Sequence, residues 1–349
     1  MKKVSTKISN VINILALIGL SISYLSPYIN PNDFWIISFF GLTFTFWLVL
    51  NFALLLLWIV AFKKRGILNA FLLLIGFQFI ARNIQINSNK SETSDINVCS
   101  FNTFVQQIYN GDNTSDVINQ YISDKKYDVV LLVEWINHKG SIDFSTYPHQ
   151  QFVAVNPKET GKGFGLKLVS KHRIIHWERI EYDHTTGNLS ALFDIEINSE
   201  IIRFVGVHLQ SNKVSPKDYS TLINAPINKE YKNYAFNFVN RLKNLSQLRA
   251  KQTHTILETI KNSPYPVIIL GDFNDTPQSY IYQCFAEGYK DAFMEQGSGW
   301  GATYLKPLPF LRIDYIFYDN ELTCTGYQTN TNIQSDHKMI EASFKLSKP

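Results

Sequence analysis

Acidic side chains are almost missing from the start of this 349-residue chain. Across residues 1–82, Asp33 stands alone against seven Lys or Arg. Residues 83–349 hold 26 of the 33 basic and 28 of the 29 acidic residues, a net charge of −2. The basic character therefore belongs to the N-terminal third. Proteins that grip nucleic acid without sequence preference usually carry an excess of Lys and Arg. Its absence from the larger part disfavours a nuclease without excluding one. Cysteine is scarce as well. Cys99, Cys284 and Cys324 are odd in number and have no C-x-x-C spacing, which argues against a disulfide framework or a zinc site. They read as small buried hydrophobes. Internal repeats and low-complexity tracts are also lacking.

Charge is absent from two long stretches of the N-terminal third. Val11 to Tyr28 is uncharged and close to the minimum length of a helical membrane span. "SISYLSPY" within it offers no small-residue cleavage site, so an uncleaved span is favoured over a signal peptide. The polar turn "NPND" follows. Phe34 to Phe62 is long enough to cross a bilayer with tilt, and Lys63, Lys64 and Arg65 end it. Ile67 to Ala81 is a shorter third run that carries Asn69 and Gln78. Lys and Arg mark the cytoplasmic side. Lys2, Lys3, Lys7 and the 63–65 cluster then lie inside, and a third crossing delivers everything beyond Arg82 to the extracytoplasmic face. The expected organisation is a membrane anchor of about three transmembrane helices over 1–82, a polar linker over 83–95 and a globular domain over 96–349.

In the globular part, short apolar runs bounded by polar turns predict strands at 96–102, 127–135, 164–170, 189–197, 201–209, 266–274, 312–319 and 335–346. The run at 127–135 is apolar on both faces and belongs mid-sheet. Those at 164–170 and 189–197 alternate more, as half-exposed strands do. Helices are expected at Asp116 to Lys125, with Ser115 as N-cap, and at Phe238 to Lys261. Residues 211–236 read as a polar, irregular insertion. Many strands with few helices between them predict two packed sheets with helices outside, not a doubly wound parallel sheet.

Several of these apolar strands end on side chains that a core rejects. Asn102 closes the first and Glu134 follows "VVLLV". His208 follows "FVGV", while Asp272 and Asn274 follow "VIILG". Asp314 lies inside "RIDYIF", and Asp336 and His337 open the last run. An isolated buried charge is expensive to desolvate. Gathered around a divalent cation, the same carboxylates become oxygen ligands. Singly, each has an ordinary explanation as a turn cap, a surface residue or a hydrogen-bonded core histidine. Their joint occurrence points to a site. "GKGFG" at 161–165 lacks the Lys-Ser/Thr ending of a phosphate loop and reads as a hairpin turn. His138, His149, His172, His176, His184 and His254 read as surface residues.

The order "SFNT", "DVVLLVEW", "GFGLKLVSKHRI", "VHLQSN", "ILGDFNDTPQS", "GATY" with "RIDYIF", and "SDHKMI" resembles the endonuclease/exonuclease/phosphatase superfamily over roughly residues 96–346. One departure is Val133, where that family usually has Gln before its metal-binding Glu. The resemblance implies an α/β fold, a four-layer α/β/β/α sandwich, and a magnesium-dependent phosphoesterase, with manganese as the alternative metal. It implies that Glu134 is the principal metal ligand, with Asn102 and Asp336 beside it. Asp272 would act as base or orienter of the attacking water, and Asn274 would hold a phosphate oxygen and help position Asp272. His337 would donate to a phosphoryl oxygen, with Asp314 fixing its tautomer, and His208 would act on the leaving oxygen or phosphate. Expected partners are the lipid bilayer and a phosphate-ester substrate, whether nucleic acid, lipid headgroup or small ester. The competing reading is a catalytically silent membrane-tethered binding or scaffold domain.

Overall fold

A computed structural model describes residues 2–87, 94–104, 114–137, 142–156, 158, 163–183, 187–212, 214–305, 308–331, 333 and 335–346. The N-terminal third is helical: α1 (Lys2–Leu25), α2 (Pro31–Phe34), α3 (Ile36–Leu42), α4 (Phe44–Val60), α5 (Gly66–Ile75) and α6 (Phe77–Ala81). Side-chain contacts define how they run. Trp58 Nε1 donates to Asn13 Oδ1 and Asn51 Nδ2 to the Ala16 carbonyl, so α1 and α4 are antiparallel. Asn69 Nδ2 donates to Asn51 Oδ1, which brings α5 back alongside α4. Tyr24 OH reaches the Leu72 carbonyl at the far end of the bundle. The arrangement buries amides and exposes large apolar groups. Asn51 and Asn69 are fully buried, while Val11, Leu15, Phe46, Val49, Phe52, Leu68 and Phe71 face outward.

The three uncharged runs do not become three unbroken spans. Among the described residues, α1 with the turn after it is the one helix long and apolar enough to cross a membrane, over Ile8–Tyr28. The second run is broken between α3 and α4, which meet at 63°. The third is interrupted at Gly76, between α5 and α6.

The expected polar linker is in part a strand. β1 (Ile84–Ile86) pairs with β11 (Ser298–Trp300), and Asn83 is buried beneath it. The remaining strands are β2 (Ile96–Asn102), β3 (Val129–Ile136), β4 (His149–Ala154), β5 (Phe164–Ser170), β6 (Arg173–Ile180), β7 (Ser190–Ile197), β8 (Glu200–His208), β9 (Val267–Asp272), β10 (Lys290–Asp291), β12 (Asp314–Tyr318), β13 (Leu322–Asn330) and β14 (Met339–Leu346). They form two six-stranded sheets, ordered β13-β14-β2-β3-β5-β4 and β10-β12-β9-β8-β7-β6. Pairing is antiparallel except for β2 with β3 and β8 with β9. Val98, Leu131, Leu166, Phe193, Phe204, Leu270 and Ile316 fill the space between the sheets. Ile118 and Ile122 of α7 (Thr114–Lys125) pack on the outer face of the first sheet. Ile256 of α9 (Lys229–Ile260) and Phe285 of α10 (Tyr280–Ala286) cover the second. The short α11 (Ala292–Gln296) adds Phe293 to the core. This is the expected four-layer sandwich.

Four details differ from the sequence reading. β5 and β7 are buried on both faces, because one face packs between the sheets and the other, through Val169 and Leu192, beneath the outer layers. Residues 211–236 are largely helical: α8 (Pro216–Asn224) starts at a reciprocal Ser215/Asp218 cap and α9 begins at Lys229. The strands β4, β6 and β13 have no counterpart in the predicted set. Ser115 falls within α7, which begins at Thr114.

The helical third packs directly on the sandwich. Thr276 Oγ1 donates to the Gly41 carbonyl, and Gln278 Nε2 to that of Phe79. Arg82 donates to the Pro277 carbonyl and to Gln283 Oε1. A Cβ at residue 41 would collide with Ser26 and with the Gln278 carbonyl, so Gly41 permits the close approach.

Candidate active site

Register brings the polar strand ends together. In the second sheet His208 pairs with Asp272, and Asp272 with Asp314, so three polar groups stand in one row across β8, β9 and β12. In the first sheet Asn102 pairs with Val133 at the end of the parallel β2–β3 pair. Glu134 is the next residue, where the pairing with β5 shifts register. Both rows lie at the ends of the parallel pairs β2–β3 and β8–β9, with Asp314 joining from the start of antiparallel β12. Val133 is fully buried in the core between the sheets. The residue before Glu134 therefore packs and does not reach the site.

Three residues with left-handed backbone meet here. Glu134, Asn274 and Phe104 adopt φ of 58°, 53° and 47°, a region costly for residues other than glycine. All three line one cavity of about 250 Å³ together with Asp272, Asp336 and His337. Gly271, at φ 141°, lets β9 approach β8 where any Cβ would meet the Val207 carbonyl.

Hydrogen bonds fix each group. Asp272 accepts from Asn102 Nδ2 at 2.9 Å and from the Asn274 backbone N–H at 2.8 Å. Asn274 Nδ2 donates to the Leu209 carbonyl at 3.0 Å, and Asn102 Oδ1 accepts from the Phe104 N–H. His337 Nδ1 lies 2.9 Å from Asp314 Oδ2, and its Nε2 lies 3.9 Å from Asp272 and 4.0 Å from Asp336. Asp314 in turn takes its position from Thr303, whose hydroxyl accepts the backbone N–H groups of Ile313 and Asp314. Ser335 ties the last loop to β2 by donating to the Asn102 carbonyl. The eight residues singled out from the sequence thus meet at one place.

The two histidines are held in opposite charge states. Burial alone would lower His337, but Asp314, then Asp272 and Asp336, outweigh it and hold the ring up at about 10. It is an imidazolium at neutral pH. For His208, burial and the positive His337 push the ring down to about 3. It is neutral, and Asn188 Nδ2, 2.8 Å from its Nε2, fits as donor to that unprotonated nitrogen. Glu134 and Asp272 lie within ion-pair distance of His208, at 3.5 and 4.0 Å. Such a pair would need a charged ring. The neutral form is the better description, because this fully enclosed ring faces a second cation. Burial raises the carboxyls of Glu134, Asp272 and Asp336, the second of them also through Asp314.

The protein-family profile for the endonuclease/exonuclease/phosphatase family matches residues 99–337. The chain belongs to that family. A second profile, a domain of unknown function (DUF8431), matches residues 6–83. No curated protein matches. Solved structures share the family fold at low identity. Humanized D. rerio TDP2 is 17% identical with a TM-score of 0.52, over 72% of this chain and 98% of that one. The human Nocturnin catalytic domain with bound sulfate is 15% identical at 0.51, over 72% and 94%. A family protein from Leptotrichia buccalis is 18% identical at 0.51, over 72% and 100%.

Outside the site, His149, His172, His176 and His254 are not buried, in keeping with their reading as surface residues. His138, His184 and residues 161–162 of the 161–165 turn lie outside the described residues, while Phe164 and Gly165 open β5. Sequence reasoning missed Asn188, Phe104 and Leu42. Asn188 immediately precedes an apolar strand, which is a signal only in retrospect. Leu42 comes from α3 and carries no signal at all.

Proposed function

We propose that this chain is a membrane-anchored hydrolase of phosphate esters that works with a divalent metal, magnesium or manganese. One observation carries the reading: Glu134 of β3, Asp272 of β9, and Asp336 and the charged His337 of the loop before β14 face one cavity although far apart in sequence.

The donor set fits such a metal. Four carboxyl groups, those of Glu134, Asp272, Asp314 and Asp336, surround a single imidazolium, and a cation would offset the negative charge that their ionisation brings. Donor atoms of Asp272, Asp314 and His337 lie within 4.8 Å of one another. A protonated ring bonded to Asp314 has no lone pair to give, however. The oxygens of Glu134 and Asp336, more open at 21% and 14% side-chain exposure, and of Asn102 are the better ligands for a hard cation. When bound, it would supply positive charge beside the phosphoryl oxygens and draw the raised carboxyls toward their ionised forms.

The residues take the remaining roles. Asp272, fixed by Asn102 and by the Asn274 N–H, orients water and accepts its proton. His337 donates from Nε2 to a phosphoryl oxygen while Asp314 holds Nδ1–H, the donor arrangement that stabilises developing negative charge. Asn274 positions Asp272, and the second hydrogen of its amide is the one that would reach phosphate. Neutral His208, set by Asn188, faces the phosphate or leaving oxygen as a polar contact.

Residues 1–82 act as the anchor, residues 83–95 connect it and 96–349 form the catalytic domain. Support comes from the outward apolar side chains of α1, α4 and α5 and from the buried amides that cross-link them. Lys63, Lys64 and Arg65 lie at the end of the bundle away from the sandwich, which favours an extracytoplasmic catalytic face. On this reading the second and third runs cross as bent or broken helices. The test uses the full chain in detergent with bis-(p-nitrophenyl) phosphate. Turnover should vanish with chelator and return with magnesium or manganese; turnover indifferent to chelator removes the metal from the reading.

A further inference from the structure

Two loops supply much of the cavity's polar wall. Ser211 and Asn212 follow β8, while Asp272 ends β9 and Asn274 follows it. Leu42, at the end of α3, lines the same cavity. One guanidinium joins the two loops. Arg249 of α9 is buried, and its Nε donates to Asp275 Oδ2 at 3.0 Å. Its Nη1 donates to the Gln210 carbonyl and to Asn212 Oδ1, both at 2.9 Å. Gln252, three residues along the same helix, accepts the Gln210 N–H at 2.9 Å. Asn212 carries the connection across, donating from Nδ2 to the Asn274 carbonyl at 3.3 Å. Asn274 Nδ2 closes the ring on the Leu209 carbonyl. Asp275 is also held elsewhere: Tyr315 OH donates to its carbonyl, and its Oδ1 accepts the Thr276 N–H. Asn274, with φ of 53°, sits between these fixed points.

A pair of charges this deep is a poor device for stability. Desolvation offsets most of the attraction, and an apolar pair of similar volume often serves as well. An apolar pair cannot, however, address a carboxylate, a backbone carbonyl and an amide oxygen at once. A guanidinium can, because its donors form a rigid planar fork, whereas an ammonium is a point charge. The left-handed backbone of Asn274 is costly and persists only where its surroundings over-determine it. The ring through Arg249, Asn212 and Asp275 is such a surrounding.

Resting on the phosphoesterase reading above, we infer that Arg249 is a positioning residue for the reaction, locking the 210–212 and 272–276 segments together so that Asn274 meets the phosphate and Asp272 in one geometry. Arg249 is not among the described residues that line the cavity. It acts through Asn212 and Asp275 on Asn274, whose backbone N–H in turn holds Asp272.

The test measures kcat and KM of the full chain in detergent, with magnesium and bis-(p-nitrophenyl) phosphate, and checks each variant's fold by circular dichroism. Arg249→Lys keeps a cation for Asp275 but loses the fork. Its kcat should fall about 100-fold, the scale of a misplacement of roughly 1 Å near the reacting atoms, while KM stays within about twofold. Asn274→Gly removes the amide yet accepts the left-handed backbone. Added to Asn274→Gly, Arg249→Lys should cost less than about tenfold more, because residues that act through one another are not additive. A purely structural arginine would cost the same in both backgrounds. Asn212→Ala cuts the bridge to the Asn274 carbonyl and leaves the buried ion pair intact. It should lower kcat about tenfold, and it decides the matter should Arg249→Lys not fold. An unchanged kcat in folded Arg249→Lys or in Asn212→Ala, or an undiminished loss on top of Asn274→Gly, overturns the proposal and leaves the phosphoesterase reading standing. Failure of the unaltered chain to hydrolyse the diester overturns both.

Discussion

The helical third and the sandwich both bury polar side chains, but they use them differently. In the helices the buried groups are neutral amides, Asn51 and Asn69, each spent on a carbonyl or on the other. Around them the large apolar side chains turn outward. In the sandwich the apolar groups turn inward, and the buried polar groups at one edge are carboxylates and imidazoles. Neutral amides in an apolar bundle fix register at modest cost, although Asn69 Oδ1 is buried without a partner. Ionisable groups cost far more to enclose. They persist where they are paired, as Arg312 with Asp291 and Arg249 with Asp275, or where several carboxyls and imidazoles gather at one cavity. The lesson is that an excess of ionisable groups at one place, and not burial, separates the catalytic edge from the structural amides.

The sharpest way to break this contrast is to remove one charged group at the edge. His337→Ala should lower turnover of a soluble diester about 100- to 1,000-fold, the usual effect of deleting one donor to a developing oxyanion. The far-ultraviolet circular dichroism should be retained. Near-normal turnover would mean that the imidazolium is structural, like the amides of the helices.

A second effect is set by pH. His208 is held below its unfolded value of about 6.5 by burial and by His337, at about 3. Its contribution to stability is complete above the unfolded value and is lost as pH falls toward the folded one. His337, raised to about 10, behaves in the opposite sense: its contribution is complete below about 6.5 and is lost as pH rises through the folded value. Denaturation of His208→Gln between pH 6.5 and 4 should therefore show a weaker decline in stability than the unaltered chain. Equal slopes would place a charged ring at 208.

The smallest effect belongs to the helices. Asn51→Leu should cost about 0.6 kcal/mol, at most about 1.7, measured by unfolding in detergent. Turnover should be kept. A loss of turnover as large as that of His337→Ala would erase the contrast between the two regions.

Much of the site is legible in the sequence because a strand that runs apolar for four or five residues and then stops on Glu134, His208 or Asp272 breaks its own pattern. Register is not written there. That His208, Asp272 and Asp314 share one row depends on which strands become neighbours. The opposite charge states of the two histidines follow from surroundings assembled in space, with Asp314 beside one and Asn188 beside the other. The helical character of 216–224 was signalled by Ser215, Pro216 and Asp218, a capping pattern obscured by the polar composition around it. The burial of β5 and β7 was masked because alternation in sequence does not reveal a second packed layer. Leu42 is the clearest omission. Nothing in an apolar run reveals that its end will touch a loop more than two hundred positions away.

That contact has a practical meaning for anyone cutting the gene. Residues 276–278, four to six positions beyond Asp272, rest on the carbonyls of Gly41 and Phe79 and on the guanidinium of Arg82. A fragment starting after Arg82 would keep every ionisable group of the cavity yet leave the underside of that loop open to water. Its kinetics would describe a different, looser enzyme.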